Sequence, residues 1–237
     1  MDTLKLFCSL TVQMKNLRNK SMCRNYKLKC MLFFPWLLFI PITVYAVDVA
    51  ITEEMESVEV THKGNKVTII RNQDPDNRIN PAYANTSRKC PPFCIQPFTI
   101  AEGVETIGEL ELLDYLKHIH AGDNSIMVID SRTPDWVNKG TIPGSVNIPW
   151  TELSPGAGAD PFSISDIFRE RFGVVTREGL WDFSGAKTLI LFCNGLWCGQ
   201  SPSNIRSLLL FGYPANMLKW YRGGMQDWES LGLTVIK

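Results

Sequence analysis

Two cysteines five positions apart, Cys193 and Cys198, stand in the segment LILFCNGLWCGQS, after one apolar run and ahead of an amphipathic one. In an open parallel sheet, ligands bind where strands end and helices begin, so this junction is where the chain could do chemistry. A loop curling from a strand into a helix N-terminus points backbone N–H groups at its centre. Together with the helix dipole they favour an anion there. A thiolate is such an anion, and the same field draws a cysteine pKa down from about 8.5 toward neutrality, populating the nucleophilic form. Gly195 and Gly199 let the backbone bend into such a cradle. The candidate loop around Cys193 is Asn194, Gly195, Leu196, Trp197, Cys198, Gly199, Gln200 and Ser201. The competing reading of Cys193 is a buried structural cysteine at a strand end.

Other chemistries find less support. The histidines are His62, His118 and His120, and none lies in a motif that would supply an imidazole base to a cysteine nucleophile. Cys90/Cys94 and Cys193/Cys198 are not read as a metal site, because the second pair is spaced by four residues on a catalytic-looking loop. No basic cluster supplies the phosphate neutralisation that nucleic-acid binding needs.

The elements that must position Cys193 are legible from hydrophobic period. SVEVTHKGNKVTII alternates around a Lys-Gly-Asn turn, as a hairpin with one buried face does. Residues 73–99 are rich in Pro, Asn, Asp and Ser and read as a long ordered loop wrapping the domain, which a Cys90–Cys94 bridge could staple. Leu110, Leu113, Leu116 and Ile119 recur at helical spacing, and His120-Ala-Gly122 closes that helix ahead of SIMVID. Residues 125–130 and 188–192 are short continuous apolar runs, as expected of central parallel strands covered on both faces. Between them SPGAGAD reads as a loop and DIFRERF as a short helix. After Cys193, SPSNIRSLLLFGY reads as a helix capped by Ser201, with Pro202 in its first position, a buried stripe of Ile205, Leu208 and Leu209, and Gly212 ending it. Ala215–Tyr221 returns to the sheet, the chain turns at Gly223-Gly224, and a last short helix carries Trp228. This alternation implies a doubly wound, mainly parallel α/β sheet flanked by helices, with an N-terminal β-hairpin and long loop extension.

The 237 residues allow one well-buried domain plus extras. Lys5, Lys15, Arg18, Lys20, Arg24, Lys27 and Lys29 precede the apolar run MLFFPWLLFIPITVYA, a basic region followed by a hydrophobic one. Val44 and Ala46 suit a signal-peptidase site, and the run is shorter than the roughly 20 residues of a membrane-spanning helix. The expected organisation is a signal peptide over 1–46, an extension over 47–103 and the main domain over 104–237. An exported or periplasmic product follows, with an uncleaved membrane anchor as the competing reading. Loss of the leader leaves 17 basic against 23 acidic residues, a mildly acidic protein with Cys90, Cys94, Cys193 and Cys198 as its cysteines. An oxidising compartment permits disulfides in either pair.

VIDSRTPDWVNKGTIPGSVNIPW resembles the rhodanese family's Asp-x-Arg, aromatic, Gly-x-Ile-x-Gly-[Ala/Ser]-x-Asn-Ile pattern, through Asp130, Arg132, Trp136, Gly140, Ile142, Gly144, Asn147 and Ile148. Cys193 falls where that family carries its persulfide-forming cysteine, and WYRGGMQDW is similar to the family's closing signature. The resemblance implies a rhodanese-like fold over roughly 104–235, with Asp130 and Arg132 as supports fastening loops around the site. It also implies sulfurtransfer through a Cys193 persulfide, between a small sulfane-sulfur donor and a thiol acceptor, with no cofactor. The chain departs from the family at Thr141, where His is usual, and in a loop that holds Trp197 and a second cysteine but no Arg or Lys. Phosphatases on this fold end a longer loop in Arg, whose planar fork holds the phosphoryl group, and Gly199 stands in that place here. Two alternatives are a thiol–disulfide protein alternating Cys193 and Cys198 with a redox partner, and a non-catalytic binding module presenting the 73–99 loop. Trp197 is expected to wall the pocket or fold onto the core, and Trp150, Trp181, Trp220 and Trp228 to be core or rim.

Overall fold

The computed structural model describes residues 49–237, so the expected signal peptide and its cleavage point lie outside the described residues. In chain order the elements are β1 (Ser57–His62), β2 (Asn65–Ile70), α1 (Pro81–Ala84), β3 (Glu105–Ile107), α2 (Glu109–His120) and β4 (Ile126–Asp130). There follow α3 (Pro134–Val137), β5 (Val146–Asn147), α4 (Trp150–Leu153), α5 (Pro161–Glu170), β6 (Val175–Arg177) and β7 (Leu180–Asp182). The chain ends with β8 (Thr188–Phe192), α6 (Gln200–Leu210), β9 (Leu218–Tyr221) and α7 (Gly224–Ser230).

Five strands form one parallel sheet in the order β3-β9-β8-β4-β5. Side chains alternate across a strand, and the two faces show it. Val128, Ile190, Phe192 and Tyr221 join one core with Leu112, Leu113 and Leu116 of α2 and Met225 and Trp228 of α7. Ile129, Leu189, Leu191, Leu218 and Trp220 join the other, with Leu153 of α4, Ile164 and Phe168 of α5, and Ile205 and Leu208 of α6. Ladder register brings Ile107, Tyr221, Phe192, Asp130 and Asn147 level across the sheet. All five strands therefore end together, and Cys193 is the first residue past that edge.

The β1–β2 hairpin is part of this core, since Val58, Val60 and Ile69 are buried with the α2 leucines. Lys63 and Gly64 turn it with φ of 48° and 80°, the left-handed pair a two-residue hairpin turn requires. A second hairpin, β6–β7, was not expected from the sequence. It turns at Glu178-Gly179 with φ of 52° and 81°, where Glu-Gly is a weaker signal than the Asn-Gly or Asp-Gly usual in such turns.

Three local expectations shift. Leu110 is exposed and Leu112 buried, because the helix centres its apolar stripe on Leu112, Leu113 and Leu116. Helix α5 starts earlier than DIFRERF: Asp160 accepts from the Ser163 N–H and Pro161 takes the first turn, the usual N-cap arrangement. Ser201 does not cap α6. That helix starts at Gln200 behind Gly199 with no side-chain cap, Pro202 lies in its first turn where no intrahelical N–H bond is lost, and the Ser201 hydroxyl turns to Cys193 instead. Gly212, at φ 85°, ends the helix as expected, with the Tyr213 N–H bonded to the Leu208 carbonyl.

Leu116 is fully buried between hairpin and sheet, with its side chain against Gly144. Leu116→Ala should lower unfolding free energy by about 2–5 kcal/mol, measured by urea denaturation. A loss well under that range would mean that hairpin and α2 do not share a packed core.

Candidate active site

Cys193 is 2% exposed and Cys198 4%, and both are free thiols. The Ser201 hydroxyl donates to Cys193 Sγ at 3.0 Å, and Cys193 Sγ lies 3.3 Å from the Cys198 carbonyl oxygen. Burial by itself pushes the Cys193 thiol up. Hydrogen bonds from the Cys198 thiol, the Ser201 hydroxyl and the Ser201 and Gly195 amides outweigh it and bring the thiol down to about 7. Cys198 moves the other way: burial pushes it well above its ordinary range, reinforced by its bond to Cys193, against the Asn194 and Gln200 amides. Of the two, Cys193 is the more acidic thiol and Cys198 the one that keeps its proton to higher pH.

The loop from Cys193 to Gly199 is clamped from three sides. Helix α7 supplies its first free N–H groups, Met225 N to the Cys193 carbonyl and Gln226 N to that of Asn194, both at 3.0 Å. Gly224 makes this approach feasible: at φ 58°, a β-carbon there would meet the Cys193 carbonyl oxygen at 2.3 Å. This is a physical reason for Gly-Gly in WYRGGMQDW.

Below the loop lies Arg132, fully buried. Its Nε and Nη2 donate to the two oxygens of Asp130 at 2.8 and 2.6 Å, Nη2 also to the Gly140 carbonyl at 2.7 Å, and Nη1 to the Tyr83 hydroxyl at 2.6 Å. Burial disfavours its charge, but the bonds to Asp130 more than offset this and hold the guanidinium protonated. Thr141, where the resemblance led one to look for His, donates to Asp130 Oδ2 at 2.7 Å. It completes the pair as a hydroxyl rather than as an imidazole.

The third clamp is the segment expected to wrap the domain. Tyr83 of α1 is buried, its hydroxyl 3.5 Å from Asn194 Oδ1. The Gln96 N–H donates to the Leu196 carbonyl at 2.8 Å. Phe93 meets the Trp197 ring edge-on at 5.5 Å between centroids, and the Arg88 guanidinium lies 3.9 Å over that ring. A Cys90–Cys94 disulfide closes the turn carrying Phe93. Gln226 ties strap to loop, accepting from Trp197 Nε1 at 2.8 Å and donating to the Tyr83 carbonyl at 3.0 Å. Tyr83 and Gln226 carried no sequence signal, since their partners lie 111 and 29 residues away.

A cavity of about 330 Å³ opens beside the loop, lined by Phe93, Trp136, Trp150, Trp197, Cys198 and neighbouring loop residues. Cys198 lines it, whereas Cys193 does not. Trp220 and Trp228 are core and Trp181 packs on Phe168. His62 accepts from the Gly144 N–H and His120 bonds Thr61, so both are engaged on the hairpin side.

A parallel α/β sheet flanked by helices, with a buried cysteine between a strand end and the helix that follows it and a second thiol on the same loop, defines the class. By sequence, residues 112–231 match the rhodanese-like domain, and the chain belongs to that family. No curated protein matches the chain by sequence. Among solved structures, it is similar to a Rhodopseudomonas palustris protein of unknown function described as a possible tyrosine phosphatase, with 19% identity, 58% of this chain and 88% of that one covered, and a TM-score of 0.39. It is also similar to a human single-domain sulfurtransferase, with 21% identity, 54% and 96% coverage and a TM-score of 0.34. A Saccharomyces cerevisiae single-domain sulfurtransferase gives 18%, 54% and 91%, and 0.38.

Two outcomes test this geometry. Thiolate absorbance of the reduced protein should titrate with a midpoint near 7. Ser201→Ala should move that midpoint up by about one to two pH units, because a hydrogen bond to a charged group is worth about 1.5–3 kcal/mol; an unmoved midpoint would discount the hydroxyl. Arg132→Met strands the Asp130 carboxylate and should cost about 3–5 kcal/mol in chemical denaturation. Arg132→Met combined with Asp130→Leu should recover much of that loss.

Proposed function

We propose that this protein is a sulfurtransferase carrying sulfane sulfur on Cys193. One observation carries the reading: the Cys193 sulfur sits where a hydroxyl, a thiol and two amides favour its anion. The thiolate attacks the terminal sulfur of a donor, a new sulfur–sulfur bond forms, and the donor leaves with the electron pair of the bond broken. The persulfide anion inherits the donors that held the thiolate. A thiol acceptor then attacks its outer sulfur and Cys193 departs as thiolate. This is covalent catalysis in two steps, with no organic cofactor or metal in the scheme. Small donor and acceptor molecules are the partners proposed; a nucleic-acid partner is not.

Export, with cleavage after Ala46, is part of the same proposal. It is supported by the basic leader and apolar run and by the Cys90–Cys94 bridge, a bond favoured in oxidising compartments.

The placement of two free, buried thiols on one loop favours a second reading, exchange between dithiol and disulfide with Cys198 as the resolving thiol. The two readings meet if Cys198 attacks the inner sulfur of the Cys193 persulfide, giving the disulfide and releasing hydrosulfide that takes the Cys198 proton.

Intact mass spectrometry separates them. Reduced protein incubated with polysulfide should gain one sulfur, retained in Cys198→Ser and absent in Cys193→Ser. No added sulfur from any donor, together with a reversible Cys193–Cys198 disulfide, would replace sulfurtransfer by redox exchange.

A further inference from the structure

The cavity beside the loop differs in character from the cradle behind it. Its walls are Pro92, Phe93, Trp136, Trp150 and Trp197, and its polar surface comes from Asn194, Gln200, Ser203 and the Cys198 thiol. None of its lining side chains is charged. Two cations stack on wall residues without lining the cavity themselves: the Arg88 guanidinium lies over Trp197, and the Lys139 ammonium lies 3.9 Å over Trp136. Arg132 has its guanidinium nitrogens bonded to Asp130, Tyr83 and Gly140.

Four of the loop amides are committed too. Those of Gly195 and Ser201 serve the Cys193 sulfur and those of Asn194 and Gln200 serve Cys198. A dianion entering this cavity would lose its hydration without a lining cation to replace it, next to a thiolate of the same sign. Both effects are large in a low-dielectric site.

An apolar group finds the opposite. The Trp197 ring stands at 80° to Phe93 and 53° to Trp136, which offers edges and faces to an inserted ring, the arrangements aromatic groups prefer. The cavity volume of about 330 Å³ falls at the small end of organic-ligand pockets.

We propose that this cavity seats the organic tail of the sulfur donor, selecting an aryl- or alkyl-tailed sulfane-sulfur compound of at most one negative charge over the thiosulfate dianion. The inference rests on Cys193 being the sulfur-accepting thiolate. With a thiosulfonate, the Cys193 thiolate attacks the terminal sulfur, the donor's sulfur–sulfur bond breaks, and its electron pair leaves with the sulfinate. One anion enters and one leaves for each persulfide formed, so no oxidant or reductant is needed. The tail lies among the tryptophans, with the reacting sulfur directed toward Cys193 at the Asn194 and Cys198 end of the cavity.

Three probes share one reacting group: benzenethiosulfonate, methanethiosulfonate and thiosulfate. The rate of Cys193 persulfidation by each, read by intact mass and divided by that donor's rate with a small free thiol, should fall in that order. The aryl probe should lead thiosulfate by about tenfold or more, an aromatic contact plus apolar burial approaching 1.4 kcal/mol. Trp150→Ala should erase most of that lead, and so should Phe93→Ala, on the solvent-facing strap where folding is less at risk. Thiosulfate loading as fast as the aryl probe, or a lead unchanged in both variants, would overturn the inference. If no probe loads Cys193, the sulfurtransferase reading fails by itself. Tryptophan fluorescence with unreactive benzenesulfonate against sulfate then decides the cavity: saturable quenching by benzenesulfonate alone upholds its preference, and no quenching overturns it.

Discussion

A guanidinium taken wholly out of water must have its charge and its N–H groups answered from within the protein, and Arg132 meets that demand by drawing four chain segments together. Asp130 at the end of β4 supplies the counter-charge through a two-bonded contact, the strongest geometry available to such a pair. The Gly140 carbonyl and the Tyr83 hydroxyl take further donors, and Tyr83 in turn reaches Asn194 of the cysteine loop. A buried ion pair gives little net stability against an apolar replacement. Its effect here is positional, since each partner lies on a different segment and none can move without leaving charge or polarity unpaired. The cysteine loop, the strap and the β4 edge are thereby held in one arrangement.

That arrangement sets the chemistry of two sulfurs. Desolvation would make both thiols weak acids, so one becomes a thiolate only where donors converge on it. They converge on Cys193 because Ser201, the second residue of α6, points its hydroxyl back at the sulfur and because Cys198 keeps a proton to share. The consequence is a division of roles by position. The acidified sulfur lies inside, and the protonated one faces the aromatic cavity.

The strap from Tyr83 to Gln96 is as much a part of the site as the loop it covers. Its disulfide holds Phe93 against Trp197, and Gln226 bonds strap and loop at once. Without it the cavity would lack its Pro92–Phe93 wall and Trp197 the ring and guanidinium packed on it. Gly195 and Gly224 let the loop and α7 pass closer than side chains would allow, which places the Gln226 amide between them.

Patterns repeated over neighbouring residues were readable from the chain itself. The β1–β2 alternation, the apolar runs of β4 and β8, the α2 period and the strand–loop–helix order around Cys193 are local, and burial on a sheet face enforces each of them residue by residue. Leu110, Ser201 and the β6–β7 hairpin depart from their local pattern, because competing local preferences there are of similar size and packing chose between them. Tertiary structure alone decided which sulfur faces the cavity, which carries the proton, and that Tyr83, Thr141 and Gln226 attend the site. A thiol's acidity and access are sums over every group within a few ångströms. Most of those groups arrive from far along the chain, so the spacing of Cys193 and Cys198 is compatible with many outcomes until the fold brings their neighbours in.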